Sequence, residues 1–337
     1  MSCKPPSVPP SSEKSSESTT SASTNSEKST ASVHDTDYRQ SLSFRDIFIE
    51  RENAPQGLTR RAWNIMTRAR QDPDLNDATV QKVIDMSRGL QDAAEAIIMH
   101  QLAPIIIPAM FRIPDKRLAM NCGQQWLNSV PVPLRSSVLH DPLPLPQPKP
   151  DLVFGYSEAA FTRNQLDTIG LLTDDQSGGN YAAPDQKVRF PFLQVEFKSQ
   201  AYNGTHYVAK NHAAGAGAIA LNGQMDLIHR RCASKTWDCD MPRYFSISMD
   251  HRTAAINVHW LKAQAGGGQY SFHTEELSIY SLRDPVRIRS LFRVIKNILD
   301  YGAQKRLPSL CSLLDEYRQK VIRGRAAANA QKTQPGK

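Results

Sequence analysis

The stretch FPFLQVEFKSQ, residues 190–200, decides the reading of the fold. Phe192, Leu193, Val195 and Phe197 are aromatic and branched types suited to a pleated, packed surface, and Glu196 and Lys198 interrupt them at the strand period of two. The spacing predicts a buried strand over 190–199. On it Val195 and Phe197 face a core, while Glu196 and Lys198 stand side by side on the opposite face. An acid and an amine on a rigid support form either a plain ion pair or a chemical site.

The rest of the chain is read against this strand. With 337 residues, 40% of them hydrophobic and 22% charged, the sequence can bury a substantial core. No run is long enough to span a bilayer: the longest apolar stretch, 102–113, carries Pro104 and Pro108. The N-terminus is rich in Ser and Pro without an apolar segment, so no signal peptide is expected and the location is expected to be intracellular. Five cysteines form no CxxC pair, in keeping with a reducing compartment. His229, Cys232, Cys239 and His251 match no standard zinc spacing.

A formal charge of +8 and a pI near 9.2 favour polyanionic partners. The basic residues cluster around Arg60, Arg61, Arg68 and Arg70, along Arg283 to Lys296, and at Lys320, Arg323 and Arg325; solvated helix faces account for each cluster equally well.

Residues 1–40, dominated by Ser, Thr, Pro, Glu and Lys, are expected to be a disordered tail. Residues 41–140 read as an N-terminal helical region packing on the core. It has short helical pieces at 45–51 and 58–69, and a long apolar stripe over 78–102 with Glu95 near its packing edge. The segment 105–139 reads as mixed and irregular. Alternating prolines over 143–150 form a stiff lead-in to Asp151, an SH3-type ligand being the alternative.

A helix is expected over 157–172 with Ser157 as its cap, then a loop over 173–186. After the central strand comes a helix over 207–231, whose small face (Ala209, Ala213, Ala216, Gly217, Ala220) implies close packing on the sheet, with Gly215 and Gly217 suggesting close approach to another backbone. Asn211, His212 and Gln224 on it are candidate cleft residues. Strands over 243–249, 254–261 and 269–280 precede helices over 285–301 and 308–323, and 326–337 reads as a basic tail. The fold class expected is α/β (α+β), a mixed central sheet flanked by helices.

The phrases PDLVFGYSEAAF, RFPFLQVEFKSQ, AKNHAAGAGAIALNGQ, INVHW and NILDYG add a resemblance. Together with the pattern P-D…E-x-K they resemble an uncharacterised family of fungal proteins within the PD-(D/E)XK nuclease superfamily. The likeness extends over roughly 141–325, read as a nuclease-like domain with a restriction-endonuclease-like core. In that superfamily two carboxylates hold a divalent metal and the lysine serves the attacking water. Two Pro-Asp pairs compete for the first carboxylate. Spacing alone favours Asp185 of Pro184-Asp185, whose gap to Glu196 is the shorter, but residues 186–198 contain no turn, so an extended strand would carry Asp185 roughly 35 Å from Glu196. Asp151 instead opens a separate apolar strand that can pair alongside.

The resemblance thus implies Asp151, Glu196 and Lys198 as catalytic, with Mg²⁺ (or Mn²⁺) on Asp151, Glu196 and the Phe197 carbonyl, ligands of the hard oxygen type. Gln200, Asn211 and Glu95 are supporting candidates, a solvated acid being the first reading of Glu95. The expected activity is a metal-dependent nuclease acting on DNA ahead of RNA, in the nucleus ahead of the cytoplasm. The alternatives are a catalytically silent nuclease fold that binds nucleic acid or protein, and a scaffold in which Glu196 and Lys198 only pair.

Overall fold

The structure is a computed structural model and describes residues 30–107, 113, 115–231, 238–264 and 269–332. In chain order, α1 (Tyr38–Ser43) and β1 (Ile47–Ile49) precede α2 (Gln56–Met66), α3 (Asp77–Gly89) and α4 (Glu95–Ile106). Then come β2 (Leu118–Cys122), β3 (Leu152–Tyr156), α5 (Arg163–Gly170), β4 (Arg189–Phe197) and α6 (His206–Arg231). The chain ends with β5 (Tyr244–Met249), β6 (Thr253–Ala263), β7 (Tyr270–Ser281), α7 (Pro285–Tyr301) and α8 (Leu307–Lys332). Among the described residues no helix is long and apolar enough to cross a membrane.

Seven strands form one mixed sheet in the order β1-β7-β6-β5-β4-β3-β2. β2, β3 and β4 are an antiparallel meander, and α6 carries the chain across so that β5 runs parallel to β4. β5, β6 and β7 make a second meander, and β1 closes the far edge in parallel with β7. The fold is therefore the α+β arrangement expected, with β4 in the sheet interior.

The period of two gives the sheet two unlike faces. On one, Leu152, Val195, Phe197, Ile247, Met249 and Val258 join a single apolar core with residues of α2, α3, α4 and α7. On the other, register aligns Gln194 and Glu196 with Ser246 and Ser248 of β5, and those with Asn257 and Ala255 of β6. His259 and Thr274 continue this polar layer, Nδ1 of the ring lying 3.0 Å from Thr274 Oγ1 and Nε2 lying 2.8 Å from Ser246 Oγ. α6 covers the layer with its buried small residues Ala209, Ala213, Ala216 and Ala220.

Gly217 is where helix and sheet come closest, since a Cβ there would stand 2.3 Å from Nδ1 of His259. Gly215, two residues earlier, has nothing within 4 Å of where its Cβ would be. The close-approach reading of the small face is right for Gly217 and wrong for Gly215.

Several boundaries differ from expectation. The stripe over 78–102 is two helices, because Gly89 ends α3 and the chain restarts at Ala94. The apolar spacing runs on across the break, so periodicity does not reveal it. Residues 45–51 hold β1 instead of a helix, bracketed by the left-handed Asp46 (φ 57°) and Glu50 (φ 52°). The leading region is thus not only helical: β1 and β2 are the two edges of the sheet. The helix expected from Ser157 begins at Thr162, whose hydroxyl and Gln165 form a reciprocal cap.

Residues 1–29 of the expected tail lie outside the described residues. Residues 30–40 are ordered and packed: Ala31, Val33 and Tyr38 are buried against α6 and β1, in a satellite core with Leu42 and Leu221. At the other end, the tail reading of 326–337 is corrected over 326–332, where α8 continues.

Candidate active site

β4 delivers Glu196 at 2% exposure and Lys198 at 6% to one end of the sheet's polar face. The antiparallel pairing of Leu152 with Val195 puts Asp151 directly across from Glu196. Pro150 is buried and the proline lead-in fixes the approach, so Asp151 arrives with little freedom. Its Oδ2 accepts from the backbone N–H of Phe197 at 2.8 Å. Lys198 Nζ donates to the Phe197 carbonyl at 2.6 Å, and lies 3.1 Å from Glu95 Oε2 and 4.0 Å from Glu196 Oε2. Glu95 is the first residue of α4 and half-exposed.

The electrostatics follow from this crowding. Burial, and then the neighbouring Asp151, push the Glu196 carboxyl well above the usual carboxylate range against the opposing pull of Lys198. Burial likewise raises Asp151, offset by Lys198 and by the N–H of Phe197. Two acids that both resist ionisation and share one ammonium are a site that favours an added positive charge.

Asp151, Glu196, Lys198 and the Phe197 carbonyl therefore come together as expected from the sequence, and Glu95, whose expected state was a solvated acid, joins them through Lys198. The remaining candidates do not. Gln200 sits in a turn beyond the strand and donates to Asp250 Oδ2 at 2.6 Å. Asn211 is fully buried and ties down the N-terminal segment, donating to the Val33 carbonyl and accepting from Arg39 Nε, each at 2.9 Å. Gln224 is buried in α6. Asp185 is a turn residue that accepts from the N–H groups of Lys187 and Val188 at 2.7 Å. Among the described residues no three His, Cys, Asp or Glu side chains gather to hold a metal ion; Cys232, of the zinc set weighed above, lies outside them.

The sequence reading missed the support behind Glu196. Gln194 donates to Glu196 Oε1 at 2.8 Å, and the hydroxyl of Tyr244 donates to Gln194 Oε1. This relay fixes the amide's orientation, since only its NH₂ can face the carboxylate. The available signal was a third polar residue at the same period of two, Gln194 before Glu196 and Lys198.

Two basic clusters prove to be internal fasteners. Along α7, Arg289 pairs with Asp77, Arg293 with Asp74 and Lys296 with Asp72, while Arg70 bridges Asp72 and Asp300. Arg61 pairs with Asp238. On α8, by contrast, Arg323 and Arg325 are exposed.

Residues 82–314 match the model of a domain family described as a domain of unknown function, DUF7924. The match covers more than two thirds of the chain, which belongs to this family. It runs from within α3 to within α8 and includes Glu95, Asp151, Glu196 and Lys198. No curated protein matches the chain.

Proposed function

We propose that this chain is a metal-dependent nuclease of the PD-(D/E)XK type, hydrolysing phosphodiester bonds of nucleic acid, DNA ahead of RNA, with the nucleus as its first-choice location. The observation that carries the reading is the convergence of Asp151, Glu196 and Lys198 at one end of β4, across a register that only this strand pairing produces. The surrounding order supports it: a leading helix, a three-stranded meander, a crossover helix and a parallel strand.

The donor set fits a hard divalent cation. Asp151 and Glu196 present carboxylate oxygens, the Phe197 carbonyl a neutral one, and the upward push on both acids is what a cation would relieve. Mg²⁺ or Mn²⁺ bound there would polarise the phosphate and offset the charge that builds on it. Lys198 must then release the Phe197 carbonyl, with Glu95 retaining its ammonium beside the site. From that position the amine orients the attacking water and neutralises the phosphate oxygens. Water oxygen bonds to phosphorus and gives up a proton to solvent, the bond to the leaving oxygen breaks, and that oxygen takes up a proton from solvent in return.

A silent nucleic-acid-binding version of the fold is favoured by a different observation, the occupation of the Phe197 carbonyl by Lys198. Cleavage assays on single- and double-stranded DNA and RNA with Mg²⁺ or Mn²⁺, with calorimetric Mn²⁺ titration, separate the two. Metal-dependent cleavage lost in Asp151→Asn, Glu196→Gln and Lys198→Ala, with Mn²⁺ binding kept in the last, is the expected result. Wild type that neither binds Mn²⁺ nor cuts refutes the nuclease.

A further inference from the structure

A cavity of about 470 Å³ opens between the N-terminal segment, the proline lead-in and α6. That is the size range of small-ligand sites, roughly 300–1,000 Å³. Pro131, Val132, Pro146, Pro148 and Ile219 give it an apolar wall. Its charged lining is of one sign: Arg45 and Lys149, with no Asp or Glu.

Among the described residues neither cation is neutralised. Arg45 donates to the Ser41 carbonyl at 3.1 Å and makes no ion pair among the described residues, where Lys149 makes neither hydrogen bond nor ion pair. An unpaired guanidinium partly withdrawn from water is an uncommon arrangement unless an anion visits it.

Gly215 also lines the cavity, and a side chain there would meet open space. Glycine is the poorest helix former after proline, and in the middle of a long helix it calls for a reason. At Gly217 the reason is contact with the sheet; at Gly215 no such contact stands among the described residues, and the missing side chain leaves cavity volume free.

The cavity adjoins the carboxylate pair. Lys149 is two residues before Asp151 and its charge favours ionisation of that acid, and His212 on the cavity wall feels the charge of Lys198. Burial, more than that charge, brings His212 down to about 4, so its ring enters as a neutral hydrogen-bonding group.

We infer that this cavity receives one unstacked nucleotide of a nucleic-acid strand, base against the proline wall and phosphate between Arg45 and Lys149, and so selects single-stranded substrate. For the strand, though not for the nucleotide itself, this rests on the nuclease reading. A base can enter only when it is out of its stack, which makes duplex the poorer ligand.

The test measures binding in EDTA, so that cleavage plays no part. Anisotropy of a labelled eight-nucleotide single strand, of its duplex, and displacement by AMP are compared for wild type, Gly215→Leu and Lys149→Gln, with thermal melts of each. Leucine suits a helix and fills the space; Lys149 is exposed and can be changed without disturbing packing. Wild type is expected to bind the single strand about tenfold more tightly than duplex and to be displaced by AMP, with Gly215→Leu weakening the single strand about tenfold and Lys149→Gln about threefold.

Equal affinity of both variants and wild type for the single strand, with melts unchanged, overturns the inference, as does failure of AMP to compete. AMP bound as tightly as the octamer overturns the strand assignment and leaves a free nucleotide as the ligand. Binding lost in Gly215→Leu by a wild type that never cleaves refutes the nuclease and keeps the pocket; cleavage and binding indifferent to Gly215→Leu do the reverse.

Discussion

Replacing Glu196 by Gln should stabilise the metal-free protein at neutral and alkaline pH. Glu196 is 2% exposed and its folded-state pKa is raised, so the stability it contributes is complete below the unfolded carboxylate value and is lost as pH rises through the folded one. This group therefore contributes less stability at about pH 8 than at about pH 5. Repulsion from Asp151 at a cross-strand separation of roughly 5 Å and attraction to Lys198 at 4.0 Å come to roughly 3 and 4 kcal/mol at an effective dielectric of 20, and largely cancel. What remains is desolvation, several kcal/mol for a buried carboxylate, less the hydrogen bond from Gln194, leaving about 1–3 kcal/mol in favour of the amide. For a chain of this size that raises Tm by roughly 1–4 °C. Differential scanning calorimetry in EDTA at both pH values is the assay. The gain should shrink on going to the lower pH, and saturating Mg²⁺ should reverse it by stabilising only the wild type, by about 2.7 kcal/mol at a hundredfold excess over Kd. A variant less stable than wild type at about pH 8, or a gain identical at both pH values, refutes the reasoning.

Other substitutions separate neighbouring roles. Asp185→Ala should leave cleavage intact yet lose about 1–3 kcal/mol in urea melts, because two turn N–H groups and Asn121 lose their acceptor. Gly217→Ala should cost about 1–3 kcal/mol by driving a methyl into His259, whereas Gly215→Ala should gain roughly 0.5–1 kcal/mol, and equal effects in the two melts would contradict the packing described. Deleting 1–40 should lower stability by about 3 kcal/mol or more, since buried Tyr38 is lost and Asn211 is left without Val33 and Arg39; a Tm within about a degree of the full chain would show that this segment does not dock.

The sequence disclosed most where one residue's surroundings settle its geometry. FPFLQVEFKSQ carries both an apolar and a charged set at the strand period, so β4, its interior place and the juxtaposition of Glu196 with Lys198 could be read directly. Asp151 over Asp185 rested on the resemblance and on an extended run from Asp185 to Glu196; that run is not what forms, since Asp185 opens a turn with Lys187 and Val188. What escaped depends on distant segments meeting. Asn211 and Gln200 look like cleft residues in isolation, and only the fold shows that Val33 and Asp250 claim them. The helix break after Gly89 hid because the apolar spacing stays in phase across it, and β1 hid because three residues carry no period. The basic residues of α7 read equally as a polyanion surface or a solvated face until the segment around Asp72 to Asp77 folded back onto Arg289, Arg293 and Lys296.

The pairing of β1 with β7 has a consequence for the chain as it is made. Ile49 lies opposite Thr274, so one edge of the sheet cannot form until the other end of the domain has been synthesised. At 5–20 residues per second the ribosome takes roughly 10–45 s to cover that interval. Throughout it Ile47 and Ile49, both buried in the finished molecule, have no β7 to pair with. The nascent chain thus carries a short, sticky strand through most of its translation, and a holdase that binds apolar peptide near the exit tunnel would find its first target there.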